Sequence, residues 1–323
     1  MQIYREFKDL PADLRGAAIA VGNFDGVHKG HQAVINEAGR IARAETRPWA
    51  VLTFDPHPRQ VFKPDTEPFR LTPGTAKERL IGALGVDYLM VLTFDKAFSQ
   101  RAAEAFVKDI LVEALGAHHV VSGYDFAFGQ GRKGNCELLL RMGRTLGFDF
   151  TAVQAVHDEA GAVFSSTRVR DCLTAGDPQA AARILGRPFE IEGTVEKGEA
   201  RGRTIGFPTA NVAMGAYLRP ANGVYAVRAA LADGPGIRDI RWHDGVANLG
   251  LRPTFAGDNV VLEVHLFDFK GDLYAKTLRV AFIDYIRAEK KFDGIDGLKA
   301  QIARDCARAR AILADAPNDT EAS

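Results

Sequence analysis

The sequence predicts an α/β fold in two parts: a doubly wound parallel sheet in the N-terminal half, then a small antiparallel β-barrel with a C-terminal helix. Three observations predict it. The chain has 323 residues, more than the roughly 100 to 200 of a single domain. From residue 17 to about 156, short apolar runs alternate with segments whose apolar residues recur at three and four. Beyond residue 188 the pattern changes to successive strand runs, without long helices between them until the last.

Composition narrows the function classes. Hydrophobic residues make up 46% and charged residues 25%, the balance of a globular chain able to bury a core in each half. Lys plus Arg and Asp plus Glu are each 41, so no net charge draws the chain to nucleic acid or an anionic membrane, and neither is an expected partner. Cys136, Cys172 and Cys306 lack the spacing of a zinc site or disulfide framework and are expected to be buried thiols in a reducing cytoplasm. No apolar run approaches the roughly 18 residues of a membrane span. Glu6, Asp9 and Asp13 precede the first apolar run, unlike a secretory leader.

In the first half the expected strands are 17–21, 49–54, 88–94, 119–122 and 150–156. They lack polar alternation, as strands covered on both faces should. The helices expected between them are 31–44, 75–84, 100–115 and 136–146. Alternation of this kind implies a parallel sheet, and ligands of such sheets bind beyond the carboxyl ends of the strands, where 22–31 and 53–58 fall. A short helix at 167–173, the turn 175–178 and an Ala-rich helix up to Gly186 make a linker region. Barrel strands are expected at 189–196, 209–213, 224–231, 245–249, 261–267 and 278–284. A helix over 298–313 would pack Leu298, Ile302, Cys306, Ala309 and Leu313 against the barrel. The expected modules are thus 1–186 and 187–313, with 314–323 as a frayed tail.

The first candidate site is GNFDGVHKGH, residues 22–31, between a buried strand and a helix. Glycine lets backbone approach a ligand, and the helix start offers free N–H groups and a positive dipole end to an anion. His28 and His31, three apart, can face one phosphate; a tight turn with structural histidines would use the same residues. No Walker-type string is present. In TFDPHP, 53–58, two prolines stiffen a loop that holds Asp55 and His57. Asp125, Phe126 and Phe128 combine a carboxylate with aromatics, suited to a flat ring with polar edges or to capping the core. In SSTRVR, 165–170, the hydroxyls can cap the next helix, while Arg168 or Arg170 can grip a polyphosphate.

The second candidate site is GRTIGFPTAN, residues 202–211, a glycine-rich turn entering a strand, readable also as an ordinary hairpin. Its Thr209 hydroxyl and Asn211 carboxamide suit magnesium or the phosphates it bridges. In LEVHLF, 262–267, Glu263 and His265 share one face and Leu262, Val264 and Leu266 the other. Glu263 is either a general base in a pocket or a solvent-facing strand carboxylate.

The string at 22–31 carries the HxGH pattern shared by nucleotidyltransferases of the HIGH superfamily. With TFDPHP, DFAFGQGRKG, SSTRVR, GRTIGFPTAN, GVANLGLRPTF, LEVHLFDF, GDLY and IRAEKKFD in this order, the chain resembles the bacterial bifunctional riboflavin kinase and FMN adenylyltransferase family over residues 22–302. The resemblance implies ATP-dependent phosphorylation of riboflavin in the C-terminal module and adenylylation of FMN in the N-terminal one. ATP, riboflavin, FMN, FAD and pyrophosphate are the implied small molecules. Mg²⁺ accompanies ATP, no tightly bound prosthetic group is required, and a monomer or weak homo-oligomer is expected. By the same resemblance Glu263 takes the riboflavin hydroxyl proton, and Thr209 with Asn211 holds Mg²⁺ and ATP. Gly202, Gly206, Pro208 and Arg252 line that site. His28 and His31 stabilise charge on the ATP phosphates in a loop completed by Gly22, Phe24, Asp25, Gly26 and Gly30. Ser166, Thr167 and Arg170 grip the triphosphate, and His57, Asp125, Phe126 and Phe128 face the nucleotide or flavin. Tyr124 and Ala275 depart from the family pattern, which usually has a small or acidic residue and a glycine there.

Two other readings use parts of the same sequence. One keeps adenylyl transfer alone, with the barrel as a flavin-binding or regulatory module; loss of Glu263 or of PTAN would favour it, and both are present. The other makes the barrel a nucleic-acid binder, which calls for a basic, aromatic-rich strand face that zero net charge counts against.

Overall fold

The computed structural model describes residues 1–197, 205–232, 241–254 and 257–317. Contacts divide the chain into two compact units, Met1–Glu67 with Thr72–Ser165, and Pro68–Leu71 with Ser166–Ser323.

The first unit is the parallel sheet expected. Its strands are β1 (Gln2–Tyr4), β2 (Ala18–Val21), β3 (Trp49–Asp55), β4 (Tyr88–Thr93), β5 (His119–Gly123) and β6 (Asp149–Val153), in the order β1-β4-β3-β2-β5-β6. Every neighbouring pair is parallel. Successive residues of a strand feed opposite faces. Ile19, Val21 and Leu52 join one buried cluster with Leu111 and Leu139, while Ala18, Ala20 and Val51 join another with Ile35 and Ile81. Helices α1 (Lys29–Ala44), α2 (Pro58–Phe62) and α3 (Thr75–Gly82) follow, then α4 (Lys96–Ser99), α5 (Ala103–Ala105) and α6 (Cys136–Leu146). The Asn135 side chain caps α6 by accepting the Leu138 amide at 2.9 Å, and Gly147 ends it in the left-handed region. Two features depart from the expected elements. β1 adds an edge strand too short to show a period, and the helix expected over 100–115 is broken, with Phe106–Ala114 wound as a π-helix.

The second unit is a closed barrel of β7 (Phe189–Glu196), β8 (Ala210–Val212), β9 (Gly223–Leu231), β10 (His243–Thr254), β11 (Gly257–Leu266) and β12 (Thr277–Arg287), in the order β10-β11-β8-β7-β12-β9. All its pairings are antiparallel. Helices α7 (Ser166–Thr174) and α8 (Pro178–Leu185) belong to this unit; the Ala221 amide donates to Leu173 O at 2.9 Å. The 175–178 turn therefore joins two helices of one unit. Gly193 lets β7 lie close to the end of β8, since a β-carbon there would sit 1.9 Å from the Ala213 carbonyl oxygen. Gly193→Ala is expected to destabilise the barrel by about 1–3 kcal/mol, as overpacking against backbone does. A lowered denaturant midpoint would register it.

Helix α9 (Ile295–Asp315) runs past the expected end at 313. Ala309 and Leu313 of the expected stripe are buried and Cys306 packs beside them, but in the first turns the buried positions are Gln301 and Asp305, one residue round from Ile302 and Cys306. Polar residues are buried there because β12 meets them with charge. Arg287 Nη2 donates to Asp305 Oδ2 at 2.6 Å, Gln301 Nε2 to Asp305 Oδ1 at 2.8 Å, and Lys290 Nζ to Gln301 Oε1 at 2.7 Å. At the other end buried Arg228 donates to Leu313 O at 2.9 Å, Ala316 O at 3.1 Å and Pro317 O, and pairs with Asp244 at 3.2 Å. A cation on the C-terminal carbonyls complements the helix dipole, which is why the helix persists through Asp315.

Candidate functional site

The loop after β2 is strained and braced. Phe24, Gly26 and Val27 have φ of 49°, 96° and 44°, and a left-handed β-branched valine persists only where its surroundings force it. Thr72, Gln32 and Thr53 brace it with four hydrogen bonds. Thr72 N donates to Asp25 Oδ1 at 3.1 Å, and Gly26 N donates to Thr72 Oγ1 at 2.8 Å. Gln32 Nε2 donates to Val27 O at 2.9 Å, and Thr53 Oγ1 to Asn23 O at 3.2 Å. This delivers His28 to the N-cap of α1, where its Nδ1 accepts the His31 amide at 3.3 Å. An imidazole that accepts at Nδ1 carries its neutral-form proton on Nε2. The His28 and His31 rings stack with centroids 3.6 Å apart, and Phe24 meets His31 edge-on at 5.4 Å. Two imidazoles therefore sit together at the positive end of a 16-residue helix, at the carboxyl edge of the sheet, an arrangement suited to an anion.

Several expected ligand residues of this unit have scaffold contacts. Asp25 is 3% and Phe24 2% exposed, the first shaping the loop through Thr72 and the second with its ring folded over Gly22. Gly30 packs beneath the His28 ring. His57 caps α2: its Nδ1 accepts the Arg59 amide at 3.1 Å, and its own amide donates to Gln60 Oε1 at 3.1 Å. Phe128 is buried and bonded through its backbone to Gly134, whereas Phe126 stacks on it at 5.3 Å with partial exposure and Asp125 is exposed. Tyr124 is exposed, its carbonyl accepting from Cys136 Sγ at 3.3 Å. Ser166, Thr167 and Arg170 form the first turns of α7 in the second unit; Arg170 Nε donates to Phe69 O at 2.9 Å there.

On the barrel, strand register assembles a polar row. Asn211 of β8 faces Glu263 of β11, which faces Asn248 of β10, so all three side chains share one face. Leu262, Val264, Val212, Ala247 and Leu249 fill the other, buried face. Asn211 Oδ1 is buried and has no hydrogen-bond partner among the described residues. His265, two residues along from Glu263, donates through Nδ1 to Pro208 O at 2.8 Å, which ties the 205–209 turn to the row; Phe207 lies edge-on to it at 5.7 Å. Gly206 has φ of 91°, and Thr209 is exposed at the row's edge. Gly202 lies outside the described residues, and Arg252 is placed in β10 by its backbone alone. Ala275, where glycine is the family habit, takes φ of 59°, the conformation glycine adopts most easily.

Sequence reasoning missed two contributors, Glu289 and Lys77. Glu289 comes over from the end of β12: Asn248 Nδ2 donates to its Oε1 at 3.4 Å, in space that a β-carbon on Gly250 would occupy. Asn248 comes beside Glu263 only through the pairing of β10 with β11. In the first unit Lys77, 2% exposed, donates to Thr53 Oγ1 and Phe54 O, both at 3.0 Å, and to Asn23 O at 3.4 Å.

Known proteins match both halves. A family model for FAD synthetase matches residues 10–168, and one for riboflavin kinase matches residues 185–313. The bifunctional riboflavin kinase/FMN adenylyltransferase of Escherichia coli (strain K12) is 42% identical over 311 residues, 96% of this chain and 97% of that protein. Its counterpart from Pseudomonas fluorescens is 42% identical over 315 residues, 97% and 98% of the two chains. A solved structure described as a macrolide-efflux protein from Streptococcus pneumoniae has a TM-score of 0.82 at 32% identity, covering 98% of this chain and 99% of its own. Among the described residues of this chain no helix is long and apolar enough to cross a membrane.

Proposed function

The chain belongs to the family of bifunctional riboflavin kinases and FMN adenylyltransferases, and from that premise we propose how its residues divide the two reactions. It phosphorylates riboflavin to FMN with ATP and adenylylates FMN to FAD with release of pyrophosphate. The observation that carries the division is that each compact unit holds its own polar site, the stacked histidines in one and the Asn211-Glu263-Asn248 row in the other.

In the first unit an FMN phosphate oxygen attacks the α-phosphorus of ATP, the bond to the bridging oxygen breaks, and pyrophosphate leaves. His28 and His31, at the N-terminus of α1, offset the charge that builds on the phosphates; no covalent enzyme intermediate is needed, because such transfers rest on positioning and charge neutralisation. In the barrel Glu263 accepts the proton of the riboflavin 5′-hydroxyl as that oxygen attacks the γ-phosphorus of ATP and ADP leaves. Asn211 Oδ1, buried and without a hydrogen-bond partner among the described residues, fits a hard cation's preference for oxygen ligands, so Asn211 and Thr209 would hold Mg²⁺, which when bound offsets phosphate charge. The proposed functional boundary is residue 186, with residues 187–313 as the kinase module. The cytoplasm is the proposed location, in keeping with three free cysteines, which are half-buried rather than buried as expected.

The test is chromatography of riboflavin incubated with the protein, Mg²⁺ and ATP. FMN is expected to form first and FAD to follow at its expense; riboflavin left intact would overturn the kinase assignment, and FMN accumulating without FAD the other.

A further inference from the structure

The strained loop that presents His28 is fastened from behind by a residue with no assigned role. Lys77 lies in the first turn of α3, yet only 2% of it is exposed. Lysine is almost never buried to this degree unless its ammonium is held by specific partners. Its partners include three oxygens: the Thr53 hydroxyl and the Phe54 carbonyl at 3.0 Å, both at the end of β3, and the Asn23 carbonyl at 3.4 Å, in the loop itself. Thr53 in turn donates its hydroxyl proton to the same Asn23 carbonyl at 3.2 Å, so the two side chains form one clamp on that oxygen. Immediately after Asn23 the chain enters the left-handed residues Phe24, Gly26 and Val27 that lead into the α1 cap. Thr72, five residues before Lys77, holds the other side of the loop through Asp25 and Gly26.

We propose that Lys77 is a positioning residue for adenylyl transfer: with Thr53 it fixes the Asn23 carbonyl, and so sets the loop conformation that places His28 and His31 against the phosphates. The proposal rests on the assignment of adenylyl transfer to the first unit. The amphipathic pattern of α3 conceals this function, because a lysine in a helix ordinarily reads as a solvent-facing residue.

A ring displaced by a fraction of an ångström still meets ground-state phosphates but loses alignment in the transition state, so the effect belongs in kcat rather than KM. Lys77→Met is expected to lower kcat for FAD formation from FMN by roughly ten- to a hundredfold, with KM for ATP changed by less than about twofold and FMN formation from riboflavin at the parent rate. Thr53→Val, isosteric and keeping the strand residue's shape, is expected to lower kcat in the same direction, and the double variant to be no worse than Lys77→Met alone, because both remove the same clamp. Should Lys77→Met not fold, Thr53→Val alone decides. Parent kcat in the variants, a rise in KM at unchanged kcat, or strictly multiplicative losses would overturn the proposal. If His31→Ala also leaves FAD formation intact, the assignment of the site fails instead.

Discussion

Replacing His31 by alanine is expected to lower FAD formation from supplied FMN by about 10²- to 10³-fold, the usual loss when one preorganised donor to a developing charge is removed. The same variant is expected to convert riboflavin to FMN at the parent rate. The reasoning is local. His31 is stacked on His28 at 3.6 Å and lies edge-on to Phe24, so truncation removes a ring from the helix N-terminus without touching the Thr72 brace that holds the loop. The His31 amide, which His28 Nδ1 accepts, also survives in alanine. Two assays on one preparation check it, and equal loss of both products would refute separate sites.

Glu263→Gln is expected to do the reverse, cutting FMN formation by about 10²- to 10⁴-fold while adenylylation of added FMN continues. Glutamine keeps the length and the cross-strand neighbours Asn211 and Asn248 but cannot accept the hydroxyl proton. KM for riboflavin should move little, since the lost interaction develops only as the proton transfers. If the glutamine variant makes FMN at the parent rate, the base lies elsewhere, and Glu289, poised over Asn248, is the next carboxylate to test.

The two expectations differ in how far the sequence alone could support them. Both architectures were legible because each has its own period: unbroken apolar runs such as 49–54 for a strand covered on both faces, and the Glu263/His265 against Leu262/Val264 alternation for a barrel wall. Pairing between strands was not legible, so the Asn211-Glu263-Asn248 row needed the register. The loop at 22–31 announced itself through its glycines and histidines, but its residue types could not separate parts that meet a ligand from parts that hold the loop. Asp25, Phe24, Phe128 and His57 all have structural contacts, through Thr72, Gly22, Gly134 and Arg59 respectively. Lys77 and the polar stripe of α9 were missed for a shared reason. Burial of Lys77 and Asp305 depends on partners distant in sequence, Thr53 and Arg287, and helical periodicity counts such residues as surface.

The way Arg228 binds the last turn of α9 bears on how the polypeptide can be altered at its end. Its guanidinium spans a distance of 85 residues in sequence to reach Leu313, so a barrel strand is fastened to the closing helix. A version terminating ahead of Leu313 would lose three carbonyl acceptors of that cation together with the buried Leu313 side chain, at a cost of about 2 kcal/mol or more. Affinity handles and fusion partners therefore belong downstream of Pro317, appended to the closing helix rather than substituted for its final residues.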